Sequence, residues 1–178
     1  MKSRMFSVVC SALALGSLAS AEPRSEMSPR AVEHIQKEVR HELFILPFLG
    51  VFDNLAYQVN GSDVTLVGQV TRPTVKWDAE NVVKKIEGVE RVNNRIEVLP
   101  LSPFDNTLRL RLFRAIYDYA PLQKYALGVN KPIRIIVKNG RVNLEGVVDC
   151  EADKNIAGIR ANGVLDVFSV ANNLQISK

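Results

Sequence analysis

The sequence has little of the chemistry that metal sites and nucleophilic active sites need. It contains only two histidines, His34 and His41, and two cysteines, Cys10 and Cys150, among 178 residues. The histidines lie seven positions apart on one predicted helix, and no pattern of cysteine, aspartate or glutamate completes a metal site around them. Nucleophile-elbow and phosphate-loop motifs are absent as well. These absences favour a protein that is not an enzyme and that holds no metal ion or cofactor.

The sequence also lacks an apolar run long enough to cross a bilayer. Two basic residues precede an apolar stretch over residues 5–18, which ends in a small-x-small pattern. This stretch is shorter than the roughly 20 residues of a membrane span. It therefore predicts a cleaved signal peptide over residues 1–21, followed by a polar spacer over 22–29. Cleavage would leave Cys150 without an intramolecular disulfide partner, and we expect that residue to be partly buried.

The charge of the chain is weak overall but unevenly distributed. Loss of Lys2 and Arg4 with the leader leaves 21 basic against 19 acidic residues, a net charge of +2. This balance does not indicate nucleic-acid binding. Residues 22–100 carry 10 basic and 12 acidic residues, whereas residues 101–178 carry 11 and 7. The excess in the second half points to an anionic partner.

One pattern of strand residues occurs twice. Residues 64–70 and 142–148 both read V-x-L-x-G-x-V, and their glycines, Gly68 and Gly146, lie 78 positions apart. Each copy is followed by an amphipathic segment, a Gly-Val pair and another run rich in valine and asparagine. Such self-similarity at a fixed distance indicates two equivalent structural units. The later runs contain Ile96 and Leu174, which are also 78 positions apart.

Each copy predicts the element order αββαβ, so the fold class is α+β. The first helix begins at Ser28-Pro29, and Asn139-Gly140 is the strongest hairpin signal. We place the first domain at residues 30–99 and the second at 105–178. The linker over 100–104 is short and contains two prolines, so we expect the two units to touch.

The glycines of the repeat suggest a close approach of main chain. We expect Gly68 and Gly146 to lie where the crossing helix packs tightly on the sheet, in preference to contacting a ligand. Gly68 and Gly88 are 20 positions apart, but Gly146 and Gly163 are 17 apart. This difference predicts a shorter second helix in the second unit and a longer approach to its last strand.

These motifs carry a resemblance to a known family. The pattern V-x-L-x-G-x-V, then a helix, Gly-Val and V-x-N-x-[IL]-x-V, resembles the BON domain, in two copies over residues 30–100 and 104–178. The resemblance implies two helices on one face of a three-stranded mixed sheet in each unit. It also implies a periplasmic, non-enzymatic role in binding phospholipid membrane surfaces, in some members linked to osmotic stress or envelope integrity. It carries over no catalytic residues.

A membrane-binding surface needs cationic side chains beside aromatic ones. The first helix of the second unit and the segment after it offer such a set, as a lipid-binding hypothesis: Arg109, Arg111, Phe113, Arg114, Tyr117 and Lys124. The alternative is that Phe113 and Tyr117 are core or inter-unit contacts and that the arginines form a solvated face.

Two other functions compete with lipid binding. The first is a protein-interaction or chaperone-like stress module without lipid affinity, which would bind envelope proteins through exposed strand edges. The second is a sugar or peptidoglycan binder. It is the least favoured, because lone Trp77 is the only evident aromatic platform.

Overall fold

The computed structural model describes residues 28–128 and 130–177. The predicted signal peptide and most of the predicted spacer lie outside the described residues. The elements in chain order are α1 (Pro29–Phe44), β1 (Asn54–Asn60), β2 (Asp63–Val70), α2 (Pro73–Val83), β3 (Arg91–Asn94), β4 (Glu97–Val98), α3 (Pro103–Tyr117), a 3-10 helix (Ala120–Ala126), β5 (Ile133–Lys138), β6 (Arg141–Val148), α4 (Glu151–Asn162), β7 (Ser169–Asn172) and β8 (Gln175–Ile176).

Both units have the same sheet topology. In the first unit β2 is central, pairing antiparallel with β1 and parallel with β3 and β4, which are two short pieces of the third strand. In the second unit β6 takes the same place between β5 and the pair β7 and β8. The predicted α+β class and the two αββαβ units with mixed sheets are therefore confirmed.

Local sequence signals set the ends of several elements as predicted. Ser28 caps α1, its hydroxyl accepting from the Ala31 amide at 3.3 Å, and Pro29 opens the helix. Asn139 and Gly140 have φ angles of 53° and 73°, the left-handed pair that a tight hairpin turn requires. The hairpin between β5 and β6 is thus confirmed. Cys150, which we expected to be partly buried, is exposed at the start of α4, so that prediction is wrong.

At both repeated glycines the close main-chain contact comes from the antiparallel partner strand or the residue just before it, and not from the crossing helix. Gly68 and Gly146 have φ angles of 125° and 118°. A Cβ at Gly68 would overlap the carbonyl oxygen of Asn54 in β1, and one at Gly146 would overlap that of Pro132, just before β5. The prediction of a tight approach by the crossing helix was wrong, because the close contact lies within the sheet.

The offset of 78 residues between the two units stays constant from the central strand through the crossing helix to the third strand. Helices α2 and α4 have 11 and 12 residues, and their first residues, like those of β3 and β7, lie 78 positions apart. The predicted shortening of the second helix is therefore wrong. The counterpart of Gly88 is Asp166 and not Gly163, and both have left-handed φ angles, 87° and 73°.

A repeated asparagine ties each crossing helix to its sheet. The Asn94 side-chain amide donates to the Lys76 carbonyl at 3.0 Å, and its Oδ1 accepts from the Ile96 amide at 3.1 Å. Asn172 does the same for the Lys154 carbonyl at 2.7 Å and the Leu174 amide at 3.4 Å. These bonds satisfy main-chain groups where the third strand breaks in two. The V-x-N motif therefore serves the scaffold.

A segment of the first unit completes the second. The strap (residues 46–53) leaves α1, and its Val51 carbonyl accepts from the Ile135 amide of β5 at 2.8 Å. Arg134 donates to the Gly50 carbonyl, also at 2.8 Å. Phe52 meets Phe113 of α3 edge-on, with ring centroids 6.4 Å apart. The expectation that the units touch is confirmed, and the strap covers the outer edge of β5.

Candidate functional site

Two of the six predicted lipid contacts lie in the core. Arg109 is 4% exposed and donates to the Val137 carbonyl at 2.7 Å. Burial lowers the pKa of its guanidinium. Tyr117 is 2% exposed, its hydroxyl donates to the Ile133 carbonyl at 2.6 Å, and burial raises its pKa. The placement of both residues on a membrane-facing surface is corrected, because each ties α3 to β5 from inside the fold.

Two more of the six are engaged elsewhere. Phe113 is half-buried between Phe52 of the strap and Tyr117, whose ring centroid is 4.9 Å away. Lys124 bridges Asp149 at 2.8 Å and Asp153 at 2.7 Å. Hydrogen bonds to these carboxylates raise the pKa of Lys124. The first residue is an inter-unit contact, and the charge of the second is compensated locally.

The remaining two arginines are exposed on the outer side of α3. The Arg111 guanidinium pairs with Asp166 at 2.7 Å, and both side chains stay nearly half exposed. Arg114 makes no ion pair with any residue in the described part of the chain. The structure thus keeps a cationic strip on α3, but it is smaller than predicted.

Large apolar side chains missed by the sequence reasoning surround one end of this strip. Phe104, Leu165 and Phe168 are 52%, 77% and 77% exposed. A Cβ placed on Gly140 would meet the Phe104 ring at 3.5 Å, the Asp166 carbonyl at 3.7 Å and Phe168 Cβ at 3.7 Å. Phe104 and Phe168 therefore gather at the β5–β6 turn, and Leu165 directly precedes Asp166 in the chain. Together with the two arginines they form what we call the α3–β7 surface: Phe104, Arg111, Arg114, Leu165 and Phe168.

Asp105 holds this corner together. It is fully buried near the start of α3, and its carboxylate accepts from the Asn139 amide at 2.8 Å and the Gly140 amide at 2.9 Å. The Phe168 amide in turn donates to the Gly140 carbonyl at 2.9 Å. The helix start, the hairpin turn and the approach to β7 are therefore joined by main-chain and buried carboxylate bonds, which gives the exposed apolar side chains a rigid base.

The first unit has acidic residues where the second has apolar ones. In the common register Leu165 corresponds to Glu87 and Phe168 to Glu90. Glu90 accepts from the Ser62 hydroxyl at 2.9 Å, as expected of a solvated hairpin contact. Aligning the two copies with a constant offset of 78 residues would have revealed this exchange. Aligning Gly88 with Gly163 instead shifts the segment by three positions, so Leu165 and Phe168 are no longer opposite Glu87 and Glu90, respectively.

The described residues include no helix with the length and apolar character needed to cross a bilayer. No curated protein sequence matches the chain. Solved structures of CdsD, a structural protein of the type III secretion system of Chlamydia trachomatis, are similar at low level. One, the C-terminal domain, is 12% identical, covers 80% of this chain and 96% of its own, and has a TM-score of 0.30. A second is 11% identical, covers 81% and 93%, and has a TM-score of 0.29.

The family comparison is specific. The BON domain matches residues 32–100 and 124–178, the two regions that contain the repeated strands and crossing helices. Helix α3, which carries the cationic strip, precedes the second matched region. The two matches agree with the resemblance found in the sequence, and together they cover most of the chain. The chain belongs to the BON domain family.

Proposed function

We propose that this chain is a periplasmic, non-enzymatic envelope protein that binds anionic phospholipid surfaces through the α3–β7 surface. The supporting observation is the cluster of three exposed apolar side chains beside two exposed arginines. Clusters of this kind on soluble domains mark interaction sites. An aromatic and aliphatic rim beside cations suits the boundary between headgroups and acyl chains. A role in envelope stress or integrity accompanies this proposal.

The binding energy has an electrostatic part and an apolar part. Arg114 near an anionic surface contributes about 1 kcal/mol, which salt screens. Arg111 contributes less, because Asp166 partly compensates its charge. Burying a leucine or phenylalanine side chain contributes about 1.5–3 kcal/mol when complete, and shallow insertion gives a fraction of that. At the positions equivalent to Leu165 and Phe168, the first unit has the acidic residues Glu87 and Glu90, which offer no apolar side chain to insert. The proposal therefore assigns membrane contact to the second unit alone.

The test is co-flotation of the exported chain with vesicles. We expect binding to vesicles of phosphatidylcholine with phosphatidylglycerol, but not to phosphatidylcholine alone, and loss of binding at high salt. Arg114→Glu should weaken binding roughly thirtyfold, since reversal changes the energy by about 2 kcal/mol. Leu165→Glu, which installs the residue of the first unit, should abolish binding.

Matched variants control for non-specific effects. Leu127 is 78% exposed, as Leu165 is 77% exposed, but it lies after the 3-10 helix and outside the α3–β7 surface. Leu127→Glu and Arg95→Glu should leave flotation unchanged. Equal loss in these controls would mean that general charge drives the binding, and that result would refute the assigned surface.

A second candidate is protein interaction, favoured by another exposed apolar group. Phe44, Ile45 and Phe48 follow one another at the end of α1 and the start of the strap, and all are more than half exposed. The guanidinium of Arg72 lies 5.6 Å from the Phe48 ring centroid. Crosslinking from Phe48 that captures an envelope protein, in a chain that does not float with vesicles, would favour this candidate.

A further inference from the structure

A cleft lies where the open face of the second sheet meets the first unit. Its volume is about 490 Å³, within the range of roughly 300–1,000 Å³ for small-molecule sites, which favour domain junctions. Leu99 and Ile136 line it, and each is only 3% exposed. The Lys138–Glu97 ion pair joins the two units at the same cleft. The cleft thus has an apolar base and is bordered by residues of both units.

Three carboxamides and one guanidinium that line this cleft have no hydrogen bond or ion pair from their side chains within the described residues. The carboxamides of Gln69, Asn139 and Asn143 line it, and within the described residues their side chains make no hydrogen bond. Arg141 lies beside them and forms no ion pair with any described residue. Its guanidinium lies over the Phe168 ring, 5.7 Å from the ring centroid. Because Glu97 neutralises Lys138, Arg141 determines the charge preference of the cleft.

These groups together match one class of ligand. A carboxamide donates and accepts at once, as a sugar hydroxyl does. A guanidinium binds a carboxylate with two parallel hydrogen bonds. Phe168, mostly exposed at the mouth of the cleft, offers a flat apolar face for the C–H surface of a sugar ring. We propose that this cleft binds a carboxylate-bearing oligosaccharide, with Arg141 on the carboxylate, the carboxamides on hydroxyls and Phe168 under a ring.

The first unit does not repeat this site. In the common register Arg141, Asn143 and Phe168 correspond to Asp63, Thr65 and Glu90. The guanidinium of Arg91 lies 3.8 Å from the Asp63 carboxylate, which compensates its charge. The equivalent surface therefore has a paired guanidinium and no aromatic ring. The site therefore depends on residues that differ between the units and not on the shared scaffold.

Isothermal titration calorimetry of the full chain with trigalacturonate, maltotriose and AMP tests the proposal. Trigalacturonate should bind at least about tenfold more tightly than neutral maltotriose, since only the first of these two sugars gives Arg141 a charged partner. Arg141→Ala should remove this preference. Phe168→Ala should weaken both sugars about tenfold, because stacking does not depend on the carboxylate. Arg95→Ala, an exposed arginine of the first unit, should change nothing.

Three results would overturn the assignment. They are tighter binding of AMP than of trigalacturonate, equal binding of the two sugars, and an equal effect of Arg95→Ala and Arg141→Ala. Asn143→Ala provides a further check, with an expected loss of about fivefold for either sugar. The α3–β7 proposal is tested separately, because Arg114 and Leu165 do not line the cleft.

Discussion

Asp53 fixes the shape of the strap that contacts the second unit. It is 2% exposed, and its carboxylate accepts from the Thr71 amide at 2.6 Å, the Thr71 hydroxyl at 2.8 Å and the Gly50 amide at 2.8 Å. These bonds hold the strap in the shape that places Val51 against β5. Asp53→Ala removes all three bonds and leaves two main-chain donors without an acceptor. Each lost bond to a charged group costs about 1.5–3 kcal/mol, partly offset by the carboxylate no longer being desolvated.

We therefore expect Asp53→Ala to lower the free energy of unfolding by about 3 kcal/mol, a large share of the roughly 5–15 kcal/mol that stabilises a typical domain. Urea unfolding followed by circular dichroism measures this loss. Hydrogen exchange at the Ile135 amide reports whether the strap has left β5. Asp53→Asn, which keeps one acceptor oxygen, should lose about half as much, and Glu33→Ala on exposed α1 should lose nothing measurable. A loss below about 1 kcal/mol, or unchanged protection of Ile135, would refute this account of the strap.

Two further predictions concern the second unit. Gly146→Ala should destabilise the chain by at least about 3 kcal/mol in urea unfolding, because its Cβ would overlap the Pro132 carbonyl. Gly61→Ala, at a left-handed position with open space around it, should cost only about 1 kcal/mol. Lys124 lowers the pKa of Asp149 and Asp153, so its contribution to stability is present above the unfolded carboxylate pKa of about 3.9 and is lost as pH falls through the lowered values. The stability gap between wild type and Lys124→Gln should thus be constant near neutral pH and shrink below about pH 4; a gap that widened in acid, or one equally present for Lys37→Gln, would contradict this.

Local signals explain how much of the fold could be predicted. The Ser28 cap, the Asn139-Gly140 turn and the alternating valines act within a few residues, so they can be read without knowing the tertiary structure. The repeat then predicted the topology of both units, because two copies of one sequence pattern are expected to fold in the same way. The role of the repeated glycines was missed, since the close carbonyl comes from the partner strand and its position depends on the pairing register.

Two residues of the lipid-contact hypothesis, Arg109 and Tyr117, are buried, and this too depends on tertiary contacts that the sequence does not show. Sequence spacing placed Arg109 and Tyr117 on α3 but did not reveal how wide its inward face is. The strap adds a contact side to α3 through Phe52 and Phe113. A carbonyl of β5 then gives Arg109 a buried partner. The signal for the strap was present in the sequence, as an apolar run over residues 46–52 that belongs to no predicted helix or strand.

The charges at equivalent positions of the two units differ, and this difference would orient the chain on an anionic membrane. Between the units, Glu87 and Glu90 are replaced by Leu165 and Phe168 while the register of 78 stays unbroken. An anionic surface would repel Glu87 and Glu90 and attract the arginines of α3, while the neutral Leu165 and Phe168 could insert. Because the strap and the Lys138–Glu97 pair join the units, repulsion of one and attraction of the other act on a single body. Docking would therefore be oriented as well as held, with Glu87 and Glu90 turned away from the bilayer.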